Sequence, residues 1–198
     1  MRRMELDILW EEISLYKEYD FTSYLLYNQI GLENLKTNFQ KYQFACVLRQ
    51  CGMFSRSEEL HQLIDYESVP INFKNLVHCE RGFLYYDWCK FDKAQIHFRI
   101  SIELGSESTI PYIMLSSILL KEENLSDSIS LLEIALMKEG DLDEVNFNLG
   151  VIYSLQGDFV KSLFYFEECY DINPRFIELS SRLMDVRNCI QIISKYNL

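Results

Sequence analysis

Apolar residues recur along this chain at helical spacing, in paired runs separated by short polar breaks. Between Asp143 and Phe176 the first run is Val145, Leu149, Ile152 and Tyr153, and the second is Phe159, Leu163, Phe166, Tyr170 and Ile172. Gly157-Asp158 separates them, with Asp158 suited to cap the second helix, and Asn173-Pro174 closes it, since a residue before proline avoids the α conformation. The pattern predicts two antiparallel helices. Stepping back 34 residues at a time carries it along the chain. Leu149 falls on Leu115, Tyr153 on Leu119 and Tyr85, Phe159 on Leu125 and Phe91, and Phe166 on Leu132 and Phe98. A fixed period of this length marks a protein of stacked helical repeats.

Small residues hold fixed places in each unit: Gly150, Ser162 and Cys169; Ser116, Ser128 and Ala135; Gly82, Ala94 and Ser101. Small side chains there let helix axes approach closely while large neighbours fill the gaps. The units predicted are 38–74, 75–108, 109–142 and 143–176. In the first, Ala45 and Ser57 are the small residues, Ile64 is larger than the pattern asks, and Ser55 with Glu58 reads as a capping box. That unit is longer by three residues, placed in a polar loop, Tyr66-Glu67-Ser68-Val69-Pro70. Residues 1–37 read as an N-terminal helical segment with an apolar face of Leu6, Trp10, Ile13 and Tyr16, either a degenerate repeat or a cap. Residues 177–198 read as one amphipathic capping helix with Leu179, Leu183, Val186 and Ile190 inward and a polar back.

The motif Leu149-Gly150, Tyr153, Gly157, Phe159, Ser162, Phe166, Cys169, Pro174 resembles the tetratricopeptide repeat, with Ser and Cys where that family usually has Ala. The family's aromatic near the start of the first helix is replaced by Asn146, while Tyr112 supplies it one unit earlier. The resemblance implies an all-α fold: a right-handed superhelix, or α-solenoid, of about four such hairpins with N-terminal helices and a C-terminal capping helix. It also implies a non-enzymatic protein-binding role, with the first helix of each unit lining a concave groove.

On that reading the candidate partner-binding residues are Tyr42, Arg49, Glu80, Phe83, Tyr86, Asp87, Ile113, Met114, Ser117, Lys121, Phe147, Asn148 and Val151. Their apolar members would stand in water in an empty groove, and exposed apolar patches mark interaction surfaces. The charged members would fix register at the edge. The expected occupant is an amphipathic or extended segment of another protein, held by an adaptor or chaperone. The chain's own N-terminal helix or a second copy, as in a homodimer, is the competing occupant. The family's carboxylate clamp of Lys, Asn and Arg is not matched: Cys79, Phe83 and Met114 stand at its places, and Asn148 alone fits the type.

Composition narrows the function. The net charge of -11 argues against nucleic acid, whose binding needs phosphate neutralisation by Lys and Arg. The same acidity admits an alternative, an immunity protein or inhibitor that neutralises a toxin by covering its basic surface. No apolar stretch is long enough for a membrane span, and Glu5, Asp7, Glu11 and Glu12 break any secretory signal. Six cysteines without paired ligand spacing read as reduced thiols in a cytoplasmic protein. His61, His78 and His97 are scattered, and no phosphate-cradling loop or nucleophile motif occurs, so neither metal, cofactor nor catalysis is expected.

Overall fold

A computed structural model describes residues 35–196. The N-terminal segment predicted over 1–37 therefore lies almost wholly outside the described residues. Those residues are all-α. Helices α1 (Asn38–Gln50) and α2 (Phe54–Gln62) form one hairpin, followed by a 3₁₀ turn at Tyr66–Ser68. Then come α3 (Ile71–Asp87), α4 (Phe91–Glu103), α5 (Ile110–Lys121), α6 (Leu125–Ala135), α7 (Leu142–Leu155), α8 (Phe159–Ile172) and α9 (Leu179–Tyr196). The chain divides into two compact units, one ending at Ala94 and the other starting at Gln95; they are called unit 1 and unit 2 below.

Each hairpin turn is built the same way. In the first, the Gly52 N–H bonds to the Arg49 carbonyl at 2.9 Å and the Met53 N–H to the Leu48 carbonyl at 2.8 Å. This crossed pair is the Schellman closure, which satisfies carbonyls left open at a helix end and puts one residue in the left-handed region. The corresponding residue is Gly52, Cys89, Glu123 and Gly157 in the successive turns, with φ of 74°, 56°, 61° and 78°. Two of these are not glycine, so Cys89 and Glu123 hold a conformation that costs an L side chain about 1 kcal/mol.

The small residues work as steric and hydrogen-bonding partners. A Cβ built on Gly150 would lie 2.6 Å from the ring of Phe166, so α7 and α8 touch here only because that side chain is missing. Ser162 donates its hydroxyl hydrogen to the Gly150 carbonyl at 2.8 Å. Ser57 does the same to Ala45 at 2.8 Å, and Ser128 to Ser116 at 3.1 Å. In each case the acceptor is 12 residues back, on the facing helix. A helical carbonyl has a second lone pair to offer, so the buried hydroxyls are satisfied at a contact too tight for water.

Several local expectations are corrected. The Ser55–Glu58 capping box does not form: α2 starts at Phe54, and its N-cap Met53 makes no side-chain cap. Glu58 instead accepts the Tyr85 hydroxyl at 2.6 Å. A capping box does form one helix earlier, between Thr37 and Gln40. Helix α3 begins at Ile71, four residues ahead of the expected unit start at Asn75, because Pro70 fixes an extended backbone just before a helix it cannot itself disrupt. Ile64 is buried but lies past the end of α2.

In unit 2 the loops before α5 and before α7 are zipped by main-chain bonds, Thr109 N–H to Glu139 carbonyl at 3.0 Å and Glu139 N–H to Glu107 carbonyl at 2.7 Å. Gly140, at φ 126°, fits against the Thr109 hydroxyl, where a Cβ would come within 2.7 Å. Helix α9 covers α8 with Leu179, Leu183 and Val186 buried beside Phe166 and Cys169. Its outer face is less polar than expected, since Met184, Ile192 and Tyr196 are exposed there.

Gly150→Ala must push Phe166 away and is expected to destabilise the protein by about 2 kcal/mol, read as a lowered urea midpoint. Glu123→Gly relieves the left-handed strain at an exposed turn and is expected to raise stability by about 0.5–1 kcal/mol in the same assay. A Gly150→Ala midpoint equal to wild type would show that the hairpin contact is not tight.

Candidate functional site

In unit 1, α1 and α3 bring five of the candidate residues into one region. Tyr42 and Arg49 share a face of α1, with Cys46 between them; Glu80, Phe83 and Asp87 share a face of α3. Arg49 is the centre. Its Nε pairs with Glu80 and a terminal nitrogen with Asp87, while the guanidinium carbon stands 5.4 Å from the centroid of the Phe83 ring. The Arg49 and Glu80 side chains are only 15% and 10% exposed. Burial pushes the Glu80 carboxyl up even though the Arg49 charge draws it down. Burial also works against the Arg49 charge, but the two carboxylates outweigh it and hold the guanidinium protonated.

Thiols and a phenol line this knot without becoming reactive. Burial, reinforced by the Glu80 charge, raises the Cys46 thiol well above its ordinary value. The same causes push Cys79 up to about 12. Tyr42 is also raised, by burial and by its neighbours Cys46 and Glu80. A nucleophilic cysteine needs a thiolate and hence a lowered pKa, so this arrangement organises polar groups rather than activating one.

Beside the knot lies an apolar patch. The rings of Phe39, Tyr42 and Phe73 form a mutually contacting trio, with centroids 6.4, 6.2 and 5.5 Å apart. Val69, Pro70 and Leu76 continue the surface into a shallow pocket edged by Asn38 and Asn72. Phe39 is 54% and Leu76 51% exposed. Phe73 is not legible from the 34-residue period, because that register closes the first unit at 74 and starts the next at Asn75; Pro70 immediately before an apolar run is the available signal for an earlier helix start. Tyr86 turns instead toward Phe91, edge to face at 5.4 Å.

Unit 2 treats its candidates differently. Met114, Ser117 and Asn148 are half-buried and Lys121 is exposed. Ile113 does not stand in water as expected: it is 3% exposed, packed in the cluster with Tyr112, Leu132, Val145 and Leu149. Helix α5 is apolar on nearly every face and contacts both α6 and α7, so no side of it at Ile113 is left over. Phe147 and Val151 are half-buried against the Phe166 and α9 cluster, with Phe147 stacked on Phe176 at 4.7 Å and tilted on Phe166 at 5.6 Å. Asn146, which stands where the resembled family usually has an aromatic, is buried and satisfies its amide by donating to the Leu142 carbonyl at 2.9 Å.

The tetratricopeptide repeat family model matches residues 143–176. No curated protein sequence is significantly similar to the chain. Among solved structures, the chain is similar to the C-terminal part of a TPR repeat-containing protein from Cytophaga hutchinsonii, with 12% identity over 96% of this chain and 71% of that one and a TM-score of 0.74. It is similar to MamA, with 18% identity over 81% and 86% of the two chains and a TM-score of 0.68. It is also similar to YrrB, described as a TPR protein with an unusual peptide-binding site, with 15% identity over 88% and 86% and a TM-score of 0.64.

Removing Arg49 leaves Glu80 buried beside Asp87 with no counter-charge, whereas removing the Glu80 charge leaves Arg49 paired with Asp87. Arg49→Met is therefore expected to cost about 3 kcal/mol and Glu80→Gln about 1 kcal/mol or less, compared by urea unfolding. The reverse order would refute the central role of the guanidinium.

Proposed function

We propose, from the premise that this chain is a tetratricopeptide-repeat protein, that it is a protein-interaction module whose first helices hold an amphipathic or extended segment of a partner, in the manner of an adaptor or chaperone. The observation that carries this reading is the exposed aromatic surface of unit 1. Phe39 and Leu76 remain half or more exposed while their neighbours Tyr42 and Phe73 are already packed beneath them. Covering one large apolar side chain gains about 1.5–3 kcal/mol, so a few anchors there support useful affinity after association costs. In unit 2 the half-buried Met114, Ser117 and Asn148 and the exposed Lys121 offer a more polar first-helix face. The solved relative YrrB, whose description names a peptide-binding site, supports the class of ligand. Among the described residues, no helix is long and apolar enough to cross a membrane.

The reading is tested by photo-crosslinking from single positions in a cell lysate. Positions 39 and 76 on the first helices of unit 1 are expected to capture the same polypeptide, and positions 59 and 127 on exposed second-helix faces are not. Phe39→Asp is expected to weaken that partner at least tenfold with helicity unchanged. Crosslinks confined to the second-helix positions, or a steep loss of binding with added salt and none with Phe39→Asp, would assign the partner to the acidic surface instead.

A further inference from the structure

The α1–α2 turn and the α3–α4 turn, both within unit 1, lie side by side. The α1–α2 turn supplies Gly52, Met53 and Phe54; the α3–α4 turn supplies Trp88 and Lys90. Phe54 and Trp88 are stacked, with centroids 5.9 Å apart and planes 29° apart, and Trp88 runs parallel to Tyr85 beyond it at 6.5 Å. The Lys90 ammonium stands 3.0 Å over the Trp88 ring. Together with Ser55 and Arg56, Phe54 and Trp88 line an open pocket at this edge.

The repeat pattern does not call for this chemistry. The residues at the place of Trp88 in the other turns are Cys51, Glu122 and Gln156; those at the place of Lys90 are Met53, Asn124 and Asp158. Asn124 and Asp158 cap the helices that follow them, accepting from the N–H groups of Asp127 and Lys161. A lysine has no acceptor to offer there, and Lys90 lies on the tryptophan instead. Two of the four described turns thus close with a polar cap, and the other two carry Met53, Trp88 and Lys90 instead. The charge is also local. Arg56 is exposed and has no ion pair among the described residues, and neither has Lys90. Lys93 is shared with Glu58 at 3.9 Å, and Asp92 is the acidic residue of the turn. Two cations that no carboxylate holds, Lys90 on the Trp88 ring and Arg56 on the pocket wall, thus stand beside an aromatic pair in a chain of net charge -11.

We propose that this edge binds a peptide segment carrying an aromatic side chain next to a carboxylate. The ring enters the pocket edge-on to Phe54 and Trp88, an arrangement aromatic quadrupoles favour, and the carboxylate takes charge-assisted bonds from Arg56 and Lys90. Two cations match one or two carboxylates. A nucleic-acid strand would need more of its phosphates neutralised than this turn offers, against the repulsion of the whole chain. The site is separate from the first-helix faces and stands independently of the function proposed for them.

The test follows the fluorine NMR signal of acetyl-Glu-(4-fluoro-Phe)-Glu-amide as the full chain is added. Saturable broadening is expected, with affinity at least tenfold weaker for the peptide in which both Glu are Lys, measured the same way. AMP is expected to compete poorly. Trp88→Gln and Lys90→Asp install the residues found at the equivalent turn positions 156 and 158, so both are expected to keep wild-type helicity and lose at least tenfold in affinity. Arg56→Glu, at an exposed position, gives the same loss through charge alone and serves if either turn variant fails to fold. Absence of saturable binding, equal binding of the Lys peptide, stronger competition by AMP than by the unlabelled Glu peptide, or unchanged affinity in folded Arg56→Glu would each overturn the proposal.

Discussion

The close contact between the two helices of a hairpin governs the rest of this structure. At Gly150 there is no room for even a methyl group beneath Phe166, and the serine twelve residues on reaches across to the second lone pair of the Gly150 carbonyl. Bringing two helix backbones so near removes water from between them, so every polar group at the contact must be answered within the protein. A serine hydroxyl answers it with one atom and little volume. That explains why Ser57, Ser128 and Ser162 stand where alanine would pack equally well but leave the carbonyl with a single partner. The large residues on either side, Phe166 and Leu132 among them, then fill the spaces opened by the small ones.

From that contact follows the division of labour along each hairpin. The faces used for close approach are fully buried. The turns are free to vary once the Schellman bonds are made, and two of them tolerate a non-glycine residue in the left-handed region. The outward stripes of the first helices are free to vary as well, and here the two units diverge. Unit 1 spends its stripe on a buried ion-paired knot next to an exposed aromatic trio. Unit 2 turns Ile113, Phe147 and Val151 into its own core. A side chain that the repeat pattern labels as surface is thus surface only if no neighbouring helix claims it.

The Arg49 knot shows the same principle in charged groups. From the sequence alone, Arg49, Glu80 and Asp87 are register-setting charges at the edge of a groove. The fold instead places them within reach of one another, and the guanidinium lies over Phe83. Their first debt is to each other, because a buried carboxylate without its cation is costly. Any partner must therefore meet a surface whose charges are already largely matched, which leaves the adjacent rings as the more available part of it.

The amino-acid sequence alone determined the helices, their pairing and the small residues at their contacts, since these follow from local periodicity and from side-chain volume at fixed spacing. It determined Asp158 as a cap and Asn173-Pro174 as a stop for the same reason: a cap or a proline acts on its own few residues. It did not determine where α3 starts, because a 34-residue ruler sets the unit boundary at Asn75 and cannot see that the helix already begins at Ile71, behind Pro70. Nor did it determine that Glu58 bonds to Tyr85 rather than to its own helix end, that Ile113 is sealed, or that Phe54 and Trp88 share one edge. Those outcomes depend on which residues of different helices and turns come within a few ångströms of each other, and only the packed structure brings residues so far apart in the chain together.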